Sequence, residues 1–405
     1  MKRDATRLES LPRSLAGRTI LQIIPDLNAG GAERTTIDVA AALAEADARP
    51  LVATQGGRLI SELQAVGGVW IPFPAKTKNP IAMALNVRRL SRILRDEGVD
   101  LVHARSRAPA WVALGAARAT QTPYVTTYHG SYASQSIFKT FYNSVMARGD
   151  VVIANSHFTA DRIRQMHPFA QKNICVIHRG TDLKAFSPRD VDSARIQKLR
   201  RDWGVSPEDR IVLLAARLTQ WKGQLLLVEA ARRLMETGLQ DVKFVLAGDP
   251  QGREGYVKSL RAKITEAGLD DVVRMPGHCS DMPAAFMAAA VVTVPSIQPE
   301  AFGRSAVEAQ AMGAPVVVSD LGAVPETVLA PPEVPESQRT GWHVPANDAQ
   351  ALADGLAHAL ALTQSAREAL RARARIHVEQ NFSLSHMCAQ TLAVYARLLG
   401  EDGPA

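Results

Sequence analysis

Cysteine is scarce in this sequence. Cys175, Cys279 and Cys388 are scattered and form no CxxC pair, which argues for a reducing compartment and against a disulfide framework or a zinc site. Long apolar runs are missing too: none reaches the roughly 18–20 residues of a membrane-spanning helix. The opening stretch, MKRDATRLESLPRSLAGRT, is polar and holds no apolar h-region, so no signal peptide is expected. Two phosphate-binding fingerprints are also absent. The first glycine pair stands in NAGGAERT, not GxGxxG, and no GxxxxGKS/T surrounds Lys222. A nicotinamide site and a P-loop are therefore both poorly supported. These absences describe a cytoplasmic chain, not integral to a membrane, and they rank an oxidoreductase last.

What is present is an ordinary globular composition with uneven charge. A chain of 405 residues is too long for one ordinary core, so two domains are expected. Hydrophobic residues make up 46% and charged residues 21%, as in soluble globular proteins. Residues 1–190 hold 25 Lys/Arg against 15 Asp/Glu, and residues 191–405 hold 22 against 25. A basic half joined to a nearly neutral one fits a first domain that meets something acidic, or a basic face that is only solvated. Phospholipid headgroups, a phosphorylated acceptor and nucleic acid are the acidic candidates.

Short apolar runs alternate with helical stretches. Strands are expected at 19–24, 50–54, 69–73, 100–104, 123–128 and 150–155, with a helix at 30–46 after the first. The pattern breaks at 183–210, a charged segment with two prolines that reads as the inter-domain connection. It restarts with strands at 211–216, 242–248, 272–277, 291–296 and 315–320, and 347–400 reads as helical. Strands buried on both faces in βαβ order give parallel sheets with helices on both sides. The expected fold is thus two doubly wound α/β domains in tandem. Ligands in such sheets bind at the carboxyl ends of the strands, and the cleft between two such domains is the default site.

The residues after each strand carry the chemistry. Gly30 and Gly31 precede a helix, where close backbone approach and free N–H groups suit an anion; a plain glycine turn is the alternative. Arg105, His129 and Asn155 follow three successive strands. Arg217 and Lys222, in ARLTQWKGQ, are five residues apart at a helix start and suit a diphosphate, although surface charge is the bland reading. In PSIQPEAFGRSAVEAQAMGAPVV the two carboxylates Glu300 and Glu308 have seven residues between them. Glu300 falls in a loop before a helix starting near Gly303, and Glu308 one to two turns inside it, about 10 Å away at the helical rise. That separation suits a sugar hydroxyl at one end and a ribose at the other, with the N–H groups of Phe302, Gly303 and Arg304 between. Solvent exposure is the alternative for Glu308.

The segments GGAER, TTYHG, VIANS, ARLTQWKGQ, FVLAGD and PEAFGRSAVEAQAMGAPVV…VPETV resemble the signature blocks of the GT-B glycosyltransferases, specifically the retaining family 4, over residues 18–400 or so. The resemblance implies two Rossmann-like domains facing a cleft: an acceptor domain at 18–190 after a polar extension at 1–17, and a nucleotide-sugar domain at 191–380. A helix at 381–405 would cross back to the first domain. It implies that Arg217 and Lys222 hold the diphosphate, that Glu308 binds the ribose, and that Glu300 with Phe302 and Gly303 binds the transferred sugar. Gly30 and Gly31 would approach the phosphate or acceptor, and His129 the sugar near its reacting carbon. Arg105, Asn155, Arg179 and Arg304 are further contact candidates. Arg179, with His178, stands in VIHRGTD where the family often has a Pro-Asn-Gly turn. The implied reaction retains anomeric configuration, needs no cofactor or metal, and takes a nucleotide sugar, most often a UDP sugar. The one DxD, Asp190-Val-Asp192, lies in the connection. The basic first domain favours a glycan or lipid-linked acceptor of lipopolysaccharide or cell-envelope synthesis, peripheral contact with an anionic inner-membrane surface, and no nucleic acid. In NVRRLSRILRDEG, Val87, Leu90, Ile93 and Leu94 form an apolar face that suits either a headgroup layer or the sheet. A sugar-nucleotide isomerase on the same fold, which would act without an acceptor, and a non-catalytic nucleotide-sugar binder are the alternatives.

Overall fold

The computed structural model describes residues 15–28, 30–130 and 136–400, so most of the expected polar extension lies outside them. The chain divides into two compact units: one holds residues up to Gly180 together with those from Leu384 onward, the other Thr181–Ser383. Both are parallel sheets between helices, so the chain is a two-domain α/β fold.

In the first domain the strands are β1 (Thr19–Ile23), β2 (Arg49–Thr54), β3 (Val69–Pro72), β4 (Leu101–Ala104), β5 (Tyr124–Tyr128), β6 (Val151–Ala154) and β7 (Ile174–Val176). They pair in the order β3-β2-β1-β4-β5-β6-β7, so strand order reverses between β1 and β4. Every residue of β1, β4, β5 and β6 is buried, which is why these strands read as unbroken apolar runs. The three-residue β7, an edge strand only half buried, falls outside the expected runs for the same reason.

One face of this sheet is covered by the helices Pro80–Asp96, Arg107–Thr120 and His157–Met166 and the turn Ser144–Ala147, through Leu90, Leu94, Val112, Val145 and Ile163. Val87 and Ile93 pack against the same core. The apolar face expected as an alternative for a headgroup layer is therefore spent on the sheet. The other face receives Val39 and Leu43 of the helix Gly31–Glu45 and Met387, Leu392 and Tyr395 of the final helix, Leu384–Leu398. That last helix completes the first domain's core although it is distant in sequence. It is anchored by one polar chain: the Tyr395 hydroxyl lies 2.5 Å from His103 Nδ1, and His103 Nε2 lies 2.7 Å from Thr127 Oγ1.

The second domain holds β8 (Arg210–Ala215), β9 (Val242–Ala247), β10 (Val273–Gly277), β11 (Ala289–Val294), β12 (Val316–Ser319) and β13 (Trp342–Val344), ordered β10-β9-β8-β11-β12-β13. The reversal here lies between β8 and β11. The expected boundaries need correction. The segment 183–210 is no linker: the helix Ser193–Asp202 and the residues after it put Leu199, Trp203 and Val205 into the second domain's core. Its charge misled because ten residues of amphipathic helix can bury one narrow stripe and leave the rest wet. The true crossings sit side by side, with Thr181 bridged to Ser383 and its N–H on Phe382 O at 2.8 Å. No helix among the described residues is long and apolar enough to cross a membrane.

Two outcomes follow. Tyr395→Phe leaves a buried imidazole nitrogen without its partner and costs about 1–3 kcal/mol in urea unfolding. Burial also holds His103 well below the usual histidine range. The unfolded chain takes up that proton below about pH 6.5 while the folded chain does not, so stability falls as pH drops through that value. In His103→Gln the slope of unfolding free energy against pH between neutrality and mild acid is shallower.

Candidate functional site

The second domain brings its predicted residues to the reversal between β8 and β11, where a doubly wound sheet opens a crevice. Lys222, after β8, and Glu300, after β11, meet there with Nζ 2.8 Å from Oε1, at side-chain exposures of 15% and 10%. The Ser296 hydroxyl donates to the same carboxylate oxygen, and Lys222 Nζ also stands 4.3 Å from the Trp221 ring centroid. Backbone bonds lock the loops together: Ile297 N donates to Trp221 O at 2.9 Å, and Ala323 N to Glu300 O at 2.9 Å. Two glycines permit this closeness. A Cβ on Gly223, whose φ is 77°, would lie 1.9 Å from Pro295 O. One on Gly322, whose φ is 71°, would lie 2.7 Å from the backbone of Glu300.

The helix after Glu300 runs Arg304–Ala311, with Gly303 as N-cap at φ 89°, close to the expected bounds. Ser305 Oγ donates to Ala215 O at 3.0 Å, so the helix N-terminus is tied to the end of β8. Ala306 N donates to Gly303 O at 3.0 Å, and the N–H groups of Arg304 and Ser305 before it lie at the helix N-terminus, where negative charge is favoured. Glu308 is 7% exposed, which removes the solvent-facing reading. Burial pushes its carboxyl above the usual carboxylate range, an effect only partly offset by Arg304, whose Nε lies 2.6 Å away. Arg304 thus serves Glu308 first. Phe302 is buried, its ring edge against Phe382 at 5.7 Å, which fixes the backbone on the approach to the helix.

Arg217 is placed differently. It is exposed and, among the described residues, its side chain reaches only Gln251, at 3.4 Å, rather than joining the Lys222–Glu300 pair. Gly248 keeps it near: a Cβ there would sit 1.8 Å from Ala216 O. The DxD is spent on structure, since Asp192 caps the helix Ser193–Asp202 by accepting from Arg195 N at 2.8 Å. Trp221, next to Lys222, and Ser296, four residues before Glu300, carry no motif signal, because only the fold shows which way they turn.

In the first domain three of the predicted positions converge. A Cβ on Gly31 would lie 2.4 Å from Arg179 Nη1, so the guanidinium rests on the backbone at a helix start. Arg179 Nη2 also lies 3.3 Å from His129 O and 3.3 Å from His129 Nδ1. Burial first, then Arg179 and Arg105, hold His129 well below the usual histidine range, so it is neutral at neutral pH. Its Nε2 is shielded and has no partner among the described residues. Gly30 caps the helix at φ 146°, facing the Glu33 carboxylate. Arg105 is buried beneath, its Nε donating to Gln22 Oε1 at 2.6 Å. Asn155 is buried with neither amide atom partnered among the described residues.

Residues 29–185 match Glycosyltransferase Family 4, and residues 195–377 match Glycosyl transferases group 1. A glycosyltransferase from Rickettsia africae ESF-5 is 32% identical, with a TM-score of 0.86 over 95% of this chain and 100% of that one. HepE of Anabaena, solved in complex with UDP-glucose, is 26% identical, with a TM-score of 0.77 over 94% of this chain and 99% of that one. A putative colanic acid biosynthesis glycosyltransferase of Escherichia coli, WcaL, is 31% identical over 269 residues, 64% of this chain and 60% of that protein. The chain spans about three-fifths of the length of the leading curated relatives it matches, 58% and 60%. With both halves matched and a full-length relative above 30% identity, this chain belongs to the GT-B glycosyltransferases of family 4.

The glycine contacts give a direct check. Gly223→Ala meets a backbone oxygen and a left-handed φ, whereas Gly238, at φ 88°, has nothing within 4 Å of a Cβ. Gly238→Ala costs about 1–3 kcal/mol from backbone conformation alone. Gly223→Ala costs more, read as a larger drop in Tm, and it displaces Lys222.

Proposed function

We propose that this protein moves a sugar from a UDP-linked donor to a glycan or lipid-linked acceptor of lipopolysaccharide or other cell-envelope synthesis. Transfer retains anomeric configuration, without a bound metal, at the cytoplasmic side of the membrane. The observation that carries the reading is the Lys222–Glu300 pair at the strand reversal of the second domain. The pair holds an ammonium and a carboxylate side chain in place. A diphosphate draws Lys222 toward itself, and Glu300 is then free to accept from sugar hydroxyls. Two anionic phosphates need more than one cation; the N-terminus of the helix Arg304–Ala311 adds partial positive charge, and Arg217 joins by swinging over from Gln251. Charge building on the leaving nucleotide strengthens those contacts as the bond breaks. Glu308, oriented by Arg304, suits the ribose diol, and the backbone at Phe302 and Gly303 suits the sugar.

The first domain takes the acceptor side in this reading. Neutral His129 offers Nε2 to a sugar hydroxyl, while Gly31 and Arg179 suit a phosphate or another anionic group. Asn155 and Arg105 are the further contacts. Support for the donor comes from HepE, solved with UDP-glucose, and for the envelope role from the name of WcaL. The DxD, engaged in helix capping, fits a reaction that does not place a metal there.

The test is a thermal-shift and slow-hydrolysis screen with UDP-, GDP- and ADP-glucose, beside Lys222→Ala and Glu300→Ala. UDP-glucose raises Tm of the wild type, and each variant loses turnover by roughly 100-fold or more. Stabilisation by none of the donors, or variants that turn over like the wild type, overturns the proposal. Conversion of the sugar nucleotide without an acceptor points instead to an isomerase.

A further inference from the structure

Large apolar side chains are strongly exposed at only a few described positions, and five of them gather in one layer. Ile81, Leu85, Phe138, Phe141 and Phe169 are between 58% and 86% exposed. They belong to the helices Pro80–Asp96 and Ile137–Asn143 and the turn Pro168–Asn173. The segments at 80–96, 107–120, 144–147 and 168–173 all bury residues in the core on the same face of the first domain's sheet. Their outer sides therefore look away from that face together.

Two features organise the layer. On the helix Pro80–Asp96, Ile81, Leu85, Arg88 and Arg92 follow a four-three-four spacing, which makes one exposed ridge, apolar at its start and basic further on. Beyond the neighbouring helix, Phe141 stacks on Trp111 at 5.3 Å between centroids, and Phe138 stands one turn away. The Arg148 guanidinium lies over Trp111, Phe141 and Phe169 at 5.9, 6.0 and 5.2 Å, joining the aromatic pad to Phe169.

Charge selects the occupant. Residues 74–173 hold 14 Lys/Arg against 5 Asp/Glu, more net positive charge than the +7 of the whole chain. Among the described residues no carboxylate pairs with Arg88, Arg92 or Lys139. A second copy of this face would oppose like charge. A nucleic acid would leave Ile81 and Leu85 unused. An anionic lipid surface takes both features, with the aromatic and aliphatic tips at headgroup depth and the arginines on the phosphates. We propose that this outer layer of the first domain, from Ile81 and Leu85 to Phe138, Phe141 and Phe169, docks on anionic phospholipid. The proposal holds whatever sugar is transferred, and it uses the opposite side of the helix Pro80–Asp96 from the face that covers the sheet.

The experiment is flotation of the full chain with vesicles of phosphatidylcholine alone or with phosphatidylglycerol added. The protein floats with the phosphatidylglycerol vesicles and not with phosphatidylcholine, and salt weakens the binding. Arg88→Gln with Arg92→Gln lowers partitioning on the order of 30-fold, and Phe138→Ser with Phe141→Ser or Ile81→Ser with Leu85→Ser lowers it at least about tenfold. All three pairs keep the Tm and the donor-induced shift of the wild type, which separates this result from failure of the donor site. No flotation, equal binding to both vesicles, or variants that bind like the wild type overturns the proposal. So does light scattering in which the Ile81→Ser, Leu85→Ser pair splits an oligomer, since the face would then join copies of the chain.

Discussion

The ion pair between Lys222 and Glu300 is the interaction on which the rest of the second domain's site depends. Each side chain lies in a crevice where its charge would be costly unpaired, and each is the other's partner at 2.8 Å. For the pair to form, the loops leaving β8 and β11 must nearly touch, and Gly223 and Gly322 are the positions where any larger residue would prevent that. Once the loops are fixed, the helix from Arg304 can aim its N-terminus at the same crevice, with Ser305 hung on the end of β8. A site for a sugar diphosphate then needs little more than displacement of one internal ion pair by a stronger external one.

The two domains solve the same folding problem and differ in what they leave at the strand ends. Both reverse strand order at the centre of a parallel sheet. The second gathers carboxylates matched with cations, which suits a ligand bearing hydroxyls at both ends and phosphate between. The first gathers cations and a neutral imidazole on a helix start, with Arg179 against Gly31 and His129. Burial makes His129 a hydrogen-bonding group rather than a charge. The final helix supports the first domain from behind through Tyr395 and His103, so a segment that contributes no candidate residue still determines how β4 is held, and Arg105 follows β4 directly.

Most of the fold was legible because strands buried on both faces leave unbroken apolar runs, and eleven of the thirteen strands among the described residues overlap such runs. The exceptions are informative. β7 and β13 are edge strands of three residues, half wet, and carry too little apolar signal. The helix Ser193–Asp202 was hidden by its arginines, and with it the true boundary at Gly180. Arg217, Lys222, Glu300 and Glu308 were legible from spacing and resemblance as candidate donor-side positions. The partners that orient them, Ser296, Trp221 and Ser305, were not.

By itself the sequence determined the class of fold, the family, and the residues that leave each strand, because apolar periodicity and short motifs are local properties. Tertiary structure alone decided which of those residues meet. Lys222 and Glu300 are 78 positions apart and become a contact only because β8 and β11 are neighbours. Arg217, five residues before Lys222, turns away toward Gln251. It also decided which side of the helix Pro80–Asp96 is spent on the core and which stays wet, since an amphipathic pattern states that a helix has a face to bury but not what the opposite face will meet.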